Sequence, residues 1–446
     1  VSQWLLLNSE NPTGEQCAVI AHHAELAGHP EIAARFLWRS GEKARRMGQP
    51  RERLFGLSHA ATLVPATDLA LRIHIALDLG EALRSLSGDI EGATNCFEEA
   101  LHLAWRMRHR GKAADALSRI GMLETDRGLF DAASEHLELA LRLYEAINDR
   151  KGVAATCIHL GRMLWLHGRF SEALHSYRKS ESLYRALRDD RGLADTEHAV
   201  ATLYYDQGEL ALAEEHYLKV LALREKTQDE YERASVMNNL GAVWAARGEQ
   251  ERAIETWRDG LKLASELGHR SLEATLSNNL GEGLMHLRQF EDAEPYIDNA
   301  IVLAHATEHI RLIIDAYTNR AFIHMQQRNW SGAECAIEQA ILENRKSPVP
   351  KQSGQVYRCQ GDLAFIRGSQ KSADKGSSEL LLEEAVSHFM AAIHCFEEAD
   401  YDLEAANTHE KLGDLYAFLG RKKEEKTERE TAASLRGKHD MKEKEG

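Results

Sequence analysis

The feature that most constrains this chain is an internal period of 40 residues. Gly121, Gly161, Gly241, Gly281 and Gly361 fall on one lattice, with the small Ala201 and Ala321 at the two intervening points. Extended backwards, the lattice reaches Gly41, and Gly80 lies one residue short of the point at Glu81. A second glycine follows seven residues later, at Gly48, Gly88, Gly128, Gly168, Gly208, Gly248 and Gly368, with Arg288 and Arg328 replacing it twice. Alanine stands twelve residues after the lattice point, from Ala93 to Ala333. Four further on comes a large residue: Phe97, Leu137, Tyr177, Tyr217, Trp257, Ile297 or Ile337. A period of this length is the signature of stacked structural repeats.

Within each unit, apolar residues recur three and four apart, as in Leu160, Met163 and Leu164 and then Ala173, Leu174 and Tyr177. That spacing predicts two antiparallel amphipathic helices. The second glycine is placed to end the first helix in the left-handed conformation that a side chain resists. The first glycine and the alanine are expected where the helices cross, with the large residue filling the gap against the next hairpin. A single hairpin cannot bury its own apolar faces, so stability must come from stacking.

The Leu-Gly steps (Leu160-Gly161, Leu240-Gly241, Leu280-Gly281, Leu412-Gly413), the turn glycines and the alanine–aromatic pairs together resemble the tetratricopeptide repeat in its 40-residue form. Pro65 matches the proline that closes a repeat in that family, although later units lack it. The resemblance implies an all-α, right-handed α–α superhelix, a solenoid of about ten helical hairpins over residues 31–420. Residues 1–30 are read as an N-terminal cap or junction, and the charged stretch 421–446 as a capping helix and tail. The step from Gly361 to Gly413 is 52 residues, and the twelve extra ones are assigned to a flexible insertion loop at 368–384. Either a tolerated surface insertion or a docking site fits that loop. The Ala-His-His helix around Ala21-His22-His23, ending in Ala27-Gly28, resembles the junction at which bacterial STAND-type signal-transduction ATPases and kinases run into a repeat array. With Val1 as the first residue, the chain is expected to be a C-terminal sensor or scaffold region of such a protein.

Chemistry is sparse. There is no phosphate-cradling G-x-x-x-x-G-K-[ST], no H-E-x-x-H and no G-x-S-x-G elbow. His22 and His23 are adjacent and point about 100° apart on a helix, so they cannot share a metal. The six cysteines lie far apart, which predicts reduced, buried thiols and a cytoplasmic chain. A net charge of −15 repels phosphate backbones. The basic cluster Arg106, Arg108, His109, Arg110 and Lys112 is read as a solvated turn, with a nucleic-acid or acidic-partner patch as the alternative, and Arg39, Lys43, Arg45 and Arg46 in the same way or as a contact with a missing domain. No apolar run is long enough to span a bilayer. No catalytic residue, metal or cofactor is expected.

In the family this chain resembles, the first helix of each repeat lines a concave groove. Two residues before the lattice points stand Arg119, His159, Asn239, Asn279 and Asn319, with Asn238 and Asn278 alongside. Asn239, Asn279 and Asn319 form a ladder at one step, broken by Ala199 and Cys359. A primary amide donates and accepts, so such a ladder can pair with the backbone of an extended peptide. Equally, it can bond neighbouring helices to one another. Arg162, Trp165, Tyr205, Glu282, His286 and Gln326 complete the expected groove, with Trp165 and Tyr205 as candidate aromatic anchors. The sequence therefore predicts a non-catalytic protein- or peptide-binding module. Its partner is a protein or peptide, including a segment of the parent's own N-terminal domain, and neither nucleic acid nor membrane. A peptide-responsive regulator of the quorum-sensing-receptor type and a passive scaffold or oligomerisation rod are the alternatives.

Overall fold

A computed structural model describes residues 12–47, 49–87, 89–346, 348–370, 375–399 and 401–445. Every regular element among them is helical. Two compact units are present, residues 1–239 with 266–269 and residues 240–265 with 270–446. The first holds α1 (Gly14–Leu26), α2 (Pro30–Arg46), α3 (Pro50–Leu63), α4 (Leu69–Ala82), α5 (Ile90–Arg106), α6 (Arg110–Asp126), α7 (Phe130–Ala146), α8 (Arg150–Leu166), α9 (Phe170–Leu187), α10 (Asp190–Asp206) and α11 (Leu210–Lys226). Helix α12 (Glu230–Ala246) crosses the division. The second unit continues with α13 (Gln250–Glu266), α14 (Arg270–His286), α15 (Phe290–Ala306), α16 (Ile310–Gln326), α17 (Trp330–Lys346), α18 (Pro350–Gly368), α19 (Lys375–Glu398), α20 (Asp402–Phe418) and α21 (Lys422–Glu445). From α2 to α11 and from α14 to α21 these form nine consecutive pairs. The architecture is an all-α solenoid, with helices adjacent in sequence packed on one another within each unit.

The turns repeat every 20 residues, twice as often as the glycine pattern alone predicts. Positions 108, 128, 148, 168, 188, 208, 228, 248, 268, 288, 308 and 328 all have positive φ. Seven of these are not glycine: Arg108, Asn148, Arg188, Gln228, Arg288, Glu308 and Arg328. The turns from 108 to 248 and from 288 to 328 close in the same way. At the first, the Arg108 N–H donates to the Trp105 carbonyl at 3.0 Å and the His109 N–H to the Ala104 carbonyl at 2.9 Å. Those two bonds satisfy carbonyls that the helix end would otherwise leave open. The turn geometry is thus imposed by its hydrogen bonds even where a side chain is strained. Replacing Arg108, Arg188 or Arg328 with glycine is expected to stabilise the fold by about 0.5–1 kcal/mol per site. Urea denaturation of the three single variants checks this.

Where the helices of a pair cross, the large residue lies directly over the lattice glycine of its own hairpin. A Cβ on Gly161 would sit 2.5 Å from Tyr177 Cε1, and one on Gly241 2.3 Å from Trp257 Nε1. Tyr177 also joins Leu137, Met163 and Leu203 in one buried cluster, so the same ring links successive hairpins.

Three expectations change. Residues 375–384, assigned to a loop, are the first turns of α19. Gly368 does not turn the chain but stays helical as the last residue of α18, where a Cβ would meet Leu382 Cγ at 2.9 Å. The extra residues therefore lengthen two packed helices, to 19 and 24 residues, with only a short connection between them. Cys335 is exposed, whereas Cys17, Cys157 and Cys359 are buried as expected. Gly48, Gly88 and the segment 371–374 lie outside the described residues.

Candidate functional site

Positions two and three before each lattice point are adjacent, about 100° apart on the first helix, so one can reach towards the preceding repeat and the other towards the following one. The structure joins these positions between repeats. Ser118 Oγ lies 2.9 Å from His159 Nδ1, and Asn239 Nδ2 lies 2.9 Å from His198 Nε2. In the second unit Asn319 Nδ2 donates to Asn278 Oδ1 at 3.1 Å. Each bond runs from three before one lattice point to two before the next. Asn238 Nδ2 also donates to Asn239 Oδ1 at 3.3 Å. The amides therefore hold neighbouring first helices together. A primary amide has two donors and two acceptor sites, so one such bond leaves capacity for a ligand.

The remaining first-unit candidates are distributed along that unit. Arg162 is held by Asp126 at 2.9 Å, and Arg84 grips the same carboxylate. Arg119 Nε is buried without a hydrogen-bond partner. Trp165 packs half-buried against the Leu137–Met163–Tyr177 cluster. Burial pushes the Tyr205 hydroxyl up from its ordinary pKa. Burial, reinforced by Arg119, holds His159 down to about 4, and burial with Arg224 does the same to His198. Both rings are neutral at physiological pH.

In the second unit, Asn278, Asn279, Glu282, His286, Asn319 and Gln326 are brought together on one groove of about 1010 Å³. Helices α14, α16 and α18 supply most of its lining, and Leu403, Glu404 and Asn407 of α20 close one side. Sequence reasoning missed Asp315, Lys351, Gln352, Gln355 and Arg358, which line the same groove. A signal for two of them existed: six residues before successive lattice points stand Thr275, Asp315 and Gln355, one turn from the asparagine row.

Burial raises the Asp315 carboxyl to about 6, opposed by a bond from Gln352 and by Lys351 and Arg311, and assisted by Glu282. A carboxyl with a raised folded pKa loses stability as pH climbs from its unfolded value near 4 to about 6, and the deficit persists above that. Asp315→Asn is therefore expected to add about 2 kcal/mol at pH 7.5 and nothing at pH 4. Denaturant melts at the two pH values measure the difference. Among the described residues no group of three or more His, Cys, Asp and Glu could hold a metal, and no helix is long and apolar enough to cross a membrane.

Fold and groove together define a repeat solenoid, a class that generally serves as a non-catalytic scaffold for protein interactions. A family model for the tetratricopeptide repeat matches residues 112–186 and 192–266. Across these two stretches the chain carries tetratricopeptide repeats. No curated protein sequence matches it. Among solved structures it is similar to the STAND protein PH0952 from Pyrococcus horikoshii, described as having a tetratricopeptide repeat sensor. That match has 18% identity and a TM-score of 0.58, covering 84% of this chain and 55% of that one. It is also similar to the apo quorum sensor NprR from B. thuringiensis, at 15% identity and a TM-score of 0.54, covering 82% of this chain and 99% of that one. Aspartyl phosphate phosphatase F from Bacillus subtilis matches at 13% identity and a TM-score of 0.54, over 84% and 95% of the two chains. At these identities the likeness is one of fold.

Proposed function

We propose that this chain is a non-catalytic peptide-binding module whose second-unit groove takes an extended segment of a partner along α14, α16 and α18. The observation that carries this reading is the groove itself. Three successive first helices present hydrogen-bonding side chains at equal steps, with Asn279 and Asn319 in its lining. An extended chain advances in equal steps too, so a repeated amide can meet successive peptide groups whatever their side chains. The partner segment belongs to another protein or to a domain of the same parent, and the module serves as the cytoplasmic sensor or scaffold region of a bacterial signalling protein. The fold shared with a quorum sensor favours a peptide-responsive regulator of the quorum-sensing-receptor type as the second reading.

Selection of a random dodecapeptide display library on the purified protein tests this. Selected peptides are expected to bind about tenfold or more weakly to an Asn279→Ala, Asn319→Ala variant of unchanged melting temperature. Equal binding by both proteins, or no selected peptide, would remove the groove from the mechanism.

A further inference from the structure

The polar groups of the second-unit groove are unequally satisfied. Two of its cations, Lys351 and Arg358, are engaged by the protein itself. Lys351 Nζ lies 3.7 Å from Glu404 and 5.2 Å from the Tyr401 ring centroid, and the Arg358 guanidinium sits 5.5 Å from that of Phe396. The acidic Asp362 already holds Lys411 at 2.6 Å. Asp315, on α16, differs. It forms no ion pair within 4.0 Å with any described residue, and its carboxylate oxygen receives one side-chain hydrogen bond, 3.3 Å from Gln352 Nε2 on α18. One turn further along α18, Gln355 Oε1 is buried with no hydrogen-bond partner among the described residues. Residues three apart share a helix face, and Gln352 and Gln355 both line the groove with Asp315. Glu282 on α14 lines the same groove and its charge acts on Asp315, while Lys351 and Arg311 act on it in the opposite direction without coming within ion-pair distance. A carboxylate withdrawn from water without a paired cation is costly, as is a buried acceptor with no donor. One ligand group would relieve both.

We propose that the groove recognises a cationic group of its peptide, an ammonium or guanidinium that pairs with Asp315 and Glu282 and donates a hydrogen bond to Gln355 Oε1. This rests on the peptide-binding reading above and adds the chemistry of the ligand. A guanidinium carries five donors in a plane and an ammonium three, so either reaches more than one of these acceptors. The cation comes from a lysine or arginine side chain or from a free peptide N-terminus. The experiment separates those sources.

Fluorescent pools of random octapeptides, N-acetylated and carrying Arg, Lys, citrulline or norleucine at one central position, are titrated with the full chain. A further norleucine pool keeps its free N-terminus. At least one cationic pool is expected to bind about tenfold or more tightly than the acetylated neutral pools. That advantage should vanish in Asp315→Asn and shrink in Gln355→Leu. If only the free-N-terminus pool shows it, the cation is the terminal ammonium; if the Arg or Lys pool does, it is a side chain. The net charge of −15 attracts every cation weakly, and Asp315→Asn changes it by only one, so loss of the whole preference requires a local site. Equal binding of charged and neutral pools, or a preference that survives Asp315→Asn, overturns this inference while leaving the peptide groove intact. Binding of no pool overturns the groove reading, and this inference with it. Asp315→Asn is expected to be the more stable protein, so its melting curve separates lost recognition from lost fold.

Discussion

Gly161→Val is expected to cost more than about 3 kcal/mol, and Gly161→Ala about 1–3 kcal/mol, because the added carbons enter the space of the Tyr177 ring. A Cβ at Gly161 would lie 2.5, 2.7 and 2.9 Å from three atoms of that ring, which is 1% exposed. Tyr177 has nowhere to retreat, since it is packed against Leu137, Met163 and Leu203. Valine adds a β-branch that is stiff in a helix and cannot rotate away. The array holds alanine at this point twice, Ala321 in one buried cluster with Ile337, and Ala201 at the same offset from the buried Tyr217, where the backbones have adjusted to the extra carbon. The double variant Gly161→Ala, Tyr177→Ile should be more stable than the sum of its single variants predicts, by about 1 kcal/mol or more. Urea denaturation of the four proteins in this cycle measures the coupling. Strict additivity would mean that the glycine serves some need other than ring clearance.

Lowering the pH from 7 to 5 is expected to cost about 2 kcal/mol for each of His159 and His198. Both rings are held neutral down to about 4 by burial, with Arg119 and Arg224 as the next causes. In the unfolded chain histidine protonates near 6.5. The unfolded state thus binds protons that the folded state refuses, and stability falls as pH drops through the window from about 6.5 to 4. Asp195, Asp206 and Glu232 in the same unit have raised pKa values and work in the opposite direction, relieving strain as they protonate. Comparison with variants isolates the rings. His159→Gln and His198→Gln should each flatten the pH dependence of the denaturation midpoint between 7 and 5. Glutamine at 198 can still accept from Asn239, so the inter-repeat bond is retained while the titration is removed. An unchanged slope in both variants would show that the rings already accept protons in the folded state.

The repeat was legible because it is written along the chain. Glycine, alanine and a large residue at offsets of zero, twelve and sixteen encode helix crossing locally, and Gly161 with Tyr177 shows the encoding in atomic contact. Turns at Asn148, Arg188 and Gln228 escaped that reading, because their left-handed conformation comes from two backbone hydrogen bonds and not from the residue type. The insertion after Gly368 escaped it too. Lys-Gly-Ser-Ser has loop composition, yet packing of Gly368 against Leu382 keeps both helices going.

Among the groove residues, Asn279 and Asn319 were found from their step along the sequence, whereas the unpaired state of Asp315 and Gln355 was not. Sequence alone determined that this chain is a solenoid of helical hairpins, since helix periodicity and small–large crossing pairs depend on neighbours within one repeat. Which polar groups are satisfied depends on side chains about 40 residues away, as with Asn278 and Asn319 or Asp315 and Gln352. Only the stacking of one repeat on the next brings those groups within hydrogen-bonding reach, so tertiary structure alone decided which acceptors the groove leaves for a ligand.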